Sequence, residues 1–389
     1  MASSFVKNTI AFAVLGGMAS LASAQSSSVQ LYGIVDAAIR HTNNEGPTKS
    51  GLTKMIGGGM SQSRWGINVT EDLGGGLSAI ANLENRFTTD DGVTPAPGLT
   101  YFAQSWVGLR SKSFGQVTMG RQYNILFDLV TSSYASFPYS PYMEAYKPEL
   151  GMAMGARANN MLKYVAEFGP VRAGLQYSFD EGETVAKKGA FVPGPSSALK
   201  TAGGYLRYSD QGISAGAAYL NTTLPGGTKV DAWTLGGSYR TGPWYLMAGY
   251  AANKRKDLQG GPVNNAVDIG VLNSFWTGAS NGGFVAGVSP LNAANKREMF
   301  KIGFGYQITP QLNAGLHYYH AKQSGSATGA FNGKANFIVA VADYAFSKRT
   351  DAYFGVDHTK VSGGAGVALD GTNGATSRTG ITVGLRHRF

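Results

Sequence analysis

Stretches of roughly ten residues in which apolar and polar side chains alternate recur along this chain without a helical interlude. That pattern constrains the fold more than any other feature. Successive side chains of a strand point to opposite faces, so period-two alternation marks a strand with one apolar and one polar face. In "VQLYGIVDAAIR", Val29, Leu31, Val35, Ala37 and Ile39 stand against Gln30, Asp36 and Arg40. From Ser63 to Asp72, Trp65, Ile67 and Val69 oppose Arg64, Asn68 and Thr70. In "GLSAIANLENRF", Leu77, Ala79, Ala81, Leu83 and Phe87 oppose Ser78, Asn82, Glu84 and Arg86.

Read this way the chain holds sixteen strands, near 29–40, 63–72, 77–87, 101–110, 115–123, 157–168, 171–179, 201–208, 212–220, 230–240, 243–252, 296–306, 311–320, 335–346, 349–358 and 378–389. Short turns such as "LGGG", "SKS", "ITP" and "SK" alternate with long Gly-, Pro-, Asn- and Ser-rich loops. An even number of strands with short turns at one end and long loops at the other describes an antiparallel up-and-down meander, not βαβ units.

The second face decides between a soluble sandwich and a membrane barrel. It carries Arg, Lys, Asp, Asn and Gly on nearly every strand, too polar for another core, while aromatics such as Trp233, Tyr239, Trp244, Tyr250, Phe304, Tyr306, Tyr318 and Tyr344 gather near strand ends. Those are the marks of a barrel with a lipid-facing outside, a wet lumen and interfacial girdles. In lipid an open sheet edge leaves backbone groups unsatisfied, so first and last strands are expected to pair. The terminal "GITVGLRHRF" fits that demand. It alternates to its last residue, with Ile381, Val383, Leu385 and Phe389 outward and Arg386 and Arg388 inward.

Residues 1–24 are of another kind. Lys7, the apolar "IAFAVLGGMASLA" and Ala22-Ser23-Ala24 before Gln25 read as a secretory signal peptide, which leaves 25–389 as the barrel domain. A retained anchor helix is the alternative, but the apolar run is short for a bilayer span. Losing Lys7 takes the formal charge from +10 to +9. Only 14% of residues are charged and there are 55 Gly, 20 Tyr and 19 Phe, which excludes a disordered chain and argues against an ordinary soluble helical enzyme. The basic residues are dispersed rather than gathered in a stripe, so nucleic acid is not an expected partner.

Chemistry is thinly represented. Cysteine is absent, which excludes thiolate metal sites and disulfides. Of the five histidines only His317 and His358 are assigned to the inward phase, and neither has a catalytic partner of matching phase. No catalytic, cofactor or metal residues are expected, although a loop-tying calcium held by carboxylates remains open. A barrel enzyme would need an inward or rim Ser/His/acid set. A plugged, energy-coupled transporter would need about 22 strands and a plug. A secreted β protein would leave detergent.

In order and spacing, "SSVQLYGIVDAA", "SRWGINVTEDLGGGLSAIANLE", "WVGLRSKSFGQVTMGRQYN", "FSKRTDAYFGVDHTK" and the final "VGLRHRF" resemble the trimeric general porins of Gram-negative outer membranes, most of all the neisserial and Burkholderiales type. The resemblance spans the mature chain. It implies an all-β, sixteen-stranded transmembrane barrel with long extracellular loops and short periplasmic turns. A third loop, here 124–156, would fold inward. Its activity would be passive, water-filled diffusion of ions and small hydrophilic solutes, with no enzyme chemistry. Implied partners are two further copies in a homotrimer, outer-membrane lipids and lipopolysaccharide, and the outer-membrane assembly machinery, which in the family reads a terminal aromatic, here Phe389.

The resemblance also implies a constriction in which basic wall residues face acids on the third loop. Arg64 of "SRWG" and Arg121 of "GRQYN" match two wall arginines, and Arg157, seven residues before Tyr164, matches a third. Alternation independently turns Arg64 and Arg157 inward, whereas Arg121 falls in phase with the outward Val117 and Met119. Where related porins carry a further wall lysine this chain has Ile34, and Arg40 stands further along the same face. Asp128 matches a loop acid; in "SPYMEAYKPELG" either Glu144 or Glu149 could be another. Arg86, Lys163, Arg172 and Lys301 read as general lumen lining. Rings of Arg and Lys favour anions, so moderate anion preference is expected.

Overall fold

The computed structural model describes residues 27–94, 101–135, 152, 156–179, 200–223, 229–255, 295–365, 367–369 and 373–389. Residues 1–24, expected as a signal peptide, Glu144, Glu149 and nearly all of the sixth loop, 253–295, lie outside the described residues. In chain order the elements are β1 (Ser28–Glu45), β2 (Ser50–Gly57), β3 (Arg64–Gly74), β4 (Leu77–Arg86), β5 (Phe102–Ser111), β6 (Gly115–Tyr123), α1 (Ile125–Ser133), β7 (Arg157–Phe168), β8 (Val171–Ser178), β9 (Lys200–Asp210) and β10 (Ile213–Thr223). They continue as β11 (Lys229–Thr241), β12 (Trp244–Arg255), β13 (Lys296–Gln307), β14 (Leu312–Ser324), β15 (Gly333–Ala345), β16 (Thr350–Gly363) and β17 (Ser377–Arg388).

From β3 onward each strand pairs antiparallel with the next, and β17 returns to β1 with Ile34 opposite Arg388 and Thr42 opposite Gly380. The sheet is closed. Among the described residues, seventeen strands fill sixteen positions around the barrel because β2 and β3 lie end to end on the same side of β1, β2 against Ala37–Glu45 and β3 against Ser28–Ile34. The first loop therefore holds a strand that alternation does not reveal. In "SGLTKMIG" the inward positions mix Leu52, Lys54 and Ile56, so neither face is uniformly apolar.

At the seam the last residue completes the ladder. Gly33 and Phe389 exchange both backbone hydrogen bonds at 3.1 Å. A Cβ at Gly33 would collide with Phe389 Cζ, so the missing side chain is the notch that seats the ring on the outer face. The turn at Gly74-Gly75-Gly76 has three successive positive φ values, 83°, 61° and 79°, a path open to glycine at little cost.

Outward side chains form a continuous apolar band; Val29, Leu31, Leu175 and Leu206 are each 60–71% exposed. An exposed band of that extent fits lipid, not water. Aromatic pairs mark its two margins: Trp244 with Tyr306 (4.6 Å) and Tyr344 with Phe346 (5.4 Å) near the turns, Trp233 with Tyr250 (5.2 Å) toward the loops.

The third loop enters the barrel. Asn124 caps α1, its Oδ1 accepting from Phe127 N at 2.9 Å, and the helix buries Ile125, Leu126, Phe127, Leu129 and Val130. Its seat is an inner wall made apolar for the purpose, with Tyr205, Ala218, Leu220, Val230 and Ala232 on β9–β11. Inward glycines leave the room. A Cβ at Gly216 would lie 2.6 Å from Leu129 Cδ1, and one at Gly236 would lie 2.7 Å from the Tyr134 ring.

Candidate pore constriction

Alternation on β3 and β4 sends Arg64, Glu84 and Arg86 into the lumen, and register brings them to one height, with Arg64 opposite Arg86 and Glu84 beside them. Three guanidiniums converge on the single Glu84 carboxylate: Arg86 Nε at 3.0 Å, Arg64 Nη1 at 3.8 Å and Arg157 Nη2 at 4.0 Å. Glu84 is 3% exposed, and Tyr32 donates its hydroxyl to it at 3.2 Å.

Tyr123, the last residue of β6, binds the group together from the third-loop side. Its hydroxyl accepts from Arg86 Nη2 and, at 3.3 Å, from Arg157 Nη2. Arg157 also lies over its ring, 4.7 Å from the centroid. Such stacking suits the planar, weakly hydrated guanidinium. Gln62, just before β3, accepts from Arg86 Nη1 on Oε1 (2.6 Å) and from Arg64 Nε on its backbone carbonyl (3.1 Å).

Arg121 is brought beside this group by an irregularity. The β6–β7 register slips between Gly120 and Gln122, where β7 carries an extra residue and Asn160 adopts φ 51°. Arg121 Nη1 donates to Asn159 Oδ1 there, close enough to Arg157 and Arg86 for their charges to act on it. Its backbone keeps the outward phase, opposite Ser105.

Other expected site residues stand elsewhere. Asp128 on α1 takes Lys163 Nζ at 2.8 Å, and that ammonium also donates to Tyr123 O at 2.9 Å. Among the described residues the loop acid is thus held by a wall lysine rather than set against Arg64, Arg121 or Arg157. Arg40 lies further along β1, the strand that pairs with β3, clamped by Asp357 through Nη1 (2.6 Å) and Nη2 (3.0 Å) and bonded to Thr382 (2.8 Å). Its neighbours Arg386 and Arg388 are likewise paired, both with Asp351. His317 is inward and buried, but His358 is not inward. It shares the outer face with Phe354 and Val356 and its Nδ1 lies 2.8 Å from Thr379 Oγ1.

These two adjoining groups of charges differ. On the β1/β16/β17 side acids and arginines nearly balance, whereas around Glu84, among the described residues, three guanidiniums share one carboxylate, a surplus of two positive charges before Arg121 is counted. At physiological salt such a surplus acts on ions within about 8 Å. Glu84, Tyr123 and Gln62 are site residues that the sequence reading does not single out. Glu84 is legible as an inward carboxylate two residues from Arg86; the convergence on Tyr123 needs the register and the slip.

Comparisons with known proteins agree with this architecture. A Gram-negative porin family model matches residues 11–364. Outer membrane porin protein 32 of Delftia acidovorans is 32% identical, over 98% of this chain and 99% of its own. An outer membrane porin protein of Bordetella pertussis is 28% identical, over 98% of this chain and 100% of its own. An anion-selective porin from Comamonas acidovorans superposes with a TM-score of 0.70 at 26% identity, covering 94% of this chain and 100% of its own. With its closed wall, its inward third loop and a family match along nearly its whole length, the chain belongs to the porins of the Gram-negative outer membrane.

Proposed function

We propose that this porin is a passive, water-filled channel that prefers anions, and that Arg64, Arg86 and Arg157, with Arg121 beside them, set the preference. The observation that carries the reading is the single Glu84 carboxylate shared among three guanidiniums within 4.0 Å. An anion passing that wall meets surplus positive charge, and a cation meets repulsion. The anion-selective porin of Comamonas acidovorans, similar over nearly its whole length, supports the same direction.

Size selection falls to the third loop, 124–156, whose helix α1 occupies lumen volume against β9–β11. Transport of ions and small hydrophilic solutes follows their gradients, with no cofactor and no covalent step. The working unit is a homotrimer in contact with lipopolysaccharide, and Phe389 serves both as seam and as the signal read by the assembly machinery. These last assignments rest on the family resemblance.

The reading is tested by Glu84→Gln in planar bilayers. Removing the shared acid leaves the cation surplus larger by one, so the anion-to-cation permeability ratio should rise. An unchanged or lower ratio would take this group out of the selectivity mechanism.

A further inference from the structure

The wall breaks between β2 and β3, at Gly58–Ser63, and the break is held by one side chain. Asp36, on the inner face of β1, is fully buried. Its Oδ1 accepts from Gly59 N (3.1 Å) and from the Tyr353 hydroxyl (2.5 Å), and its Oδ2 from Met60 N (3.1 Å) and Ser61 N (2.7 Å). Successive N–H groups around one anion form a nest, and here the chain supplies its own anion. The Asp36 backbone is engaged as well: its carbonyl accepts from Gly58 N (2.8 Å) and from Thr89 Oγ1 (2.7 Å), and its N–H donates to Ser63 Oγ (2.9 Å). Arg386 Nη1 donates to Ser61 Oγ at 2.6 Å from the far side.

Immediately after the nest comes Gln62, which offers its backbone carbonyl to Arg64 and its side-chain carbonyl to Arg86. One residue thus aims two of the three guanidiniums around Glu84, and Asp36 fixes the segment that presents it. Each of these long side chains carries about 2 kcal/mol of rotamer entropy, which Gln62 helps offset together with Glu84 and, for Arg86, the Tyr123 hydroxyl.

We infer that Asp36 and Gln62 are positioning residues for charge selection: Asp36 locks the inward break, and the break presents Gln62 as the acceptor that orders Arg64 and Arg86. The inference rests on the reading that those arginines set anion preference. Neither residue adds positive charge, so the effect is one of geometry.

The signs of two competing effects separate in Asp36→Asn. Counting charge alone, losing an acid from the lumen wall raises the anion-to-cation permeability ratio. If Asp36 positions the arginines, the ratio falls and open-channel noise grows, because an amide offers one acceptor oxygen where the Gly59, Met60 and Ser61 N–H groups use two, and sets a donor against the rest. Gln62→Met, of similar length and unchanged charge, removes the side-chain acceptor of Arg86 and keeps the backbone carbonyl that Arg64 uses; by freeing Arg86 it should lower the ratio too, with the folded oligomer melting as wild type does in detergent. Arg64→Ala is run beside them. If Arg64→Ala leaves the ratio unchanged, the underlying reading fails. If Arg64→Ala lowers it while Gln62→Met does not, or Asp36→Asn raises it, the positioning inference is overturned. Should Asp36→Asn fail to fold, Gln62→Met decides alone.

Discussion

Gly249 on β12 carries no side chain because Tyr134, at the end of α1, stands where one would be. A Cβ at 249 would lie 2.5 Å from Tyr134 Cε2 and 2.6 Å from Cδ2, and it meets no other atom so closely. Restoring ordinary contact of about 3.5 Å requires a shift of about 1 Å. The ring has no slack. Its other edge faces Gly236, its hydroxyl is bonded to Thr234, and Lys301 Nζ sits 4.6 Å from its centroid. The neighbouring cavity, of about 10 Å³, has barely room for one water.

Gly249→Ala should therefore cost about 1–3 kcal/mol by overpacking, and relief lies inward, because the wall behind is hydrogen-bonded on both sides. The loop moves into the lumen. Single-channel recordings should show lower and noisier conductance, and adding Tyr134→Leu, which shortens the offending side chain, should restore it toward wild type. Conductance and noise identical to wild type in Gly249→Ala alone would refute the claim that the seat of the third loop sets the bore.

Arg64→Ala should raise conductance and weaken anion preference; no change in either would remove Arg64 from the constriction. Asp357→Ala breaks the buried bidentate pair with Arg40, and loss of one partner of such a pair costs about 3–5 kcal/mol. Thermal unfolding in detergent should shift down, and an unaltered melting temperature would show the pair to be idle. Deleting Phe389 should reduce insertion into the outer membrane, measured as heat-modifiable barrel in membrane fractions, far more than it alters the conductance of barrels that do assemble. The opposite pattern would separate seam from signal.

The alternation that places Arg64 and Glu84 inward is legible because one face meets lipid and the other water, a contrast renewed at every second residue. Where an inner face is not wet, the signal fades. β2 mixes Leu52, Lys54 and Ile56 on one side, and the inward Phe337, Val339 and Val341 of β15 are as apolar as a lipid-facing row. The inward assignment of His358 is wrong, although Phe354 and Val356 fix its phase. Arg121 obeys alternation in its backbone, yet the extra residue at Asn159 and Asn160 on the neighbouring strand gives its side chain a partner no periodicity reports. Arg40 is legible as inward, but its neutralising Asp357 lies 317 residues away, and only closure of the sheet brings them together. Asp128 shows the same limit: resemblance points to the acid, and the fold pairs it with Lys163.

The central claim is that the wall around Glu84 carries surplus positive charge that ions feel as they pass. The zero-current potential of the purified wild-type channel, in a planar bilayer under a potassium chloride gradient, tests it most directly. The account predicts the sign set by chloride crossing faster than potassium. A potential of the sign set by potassium, or none, would contradict it.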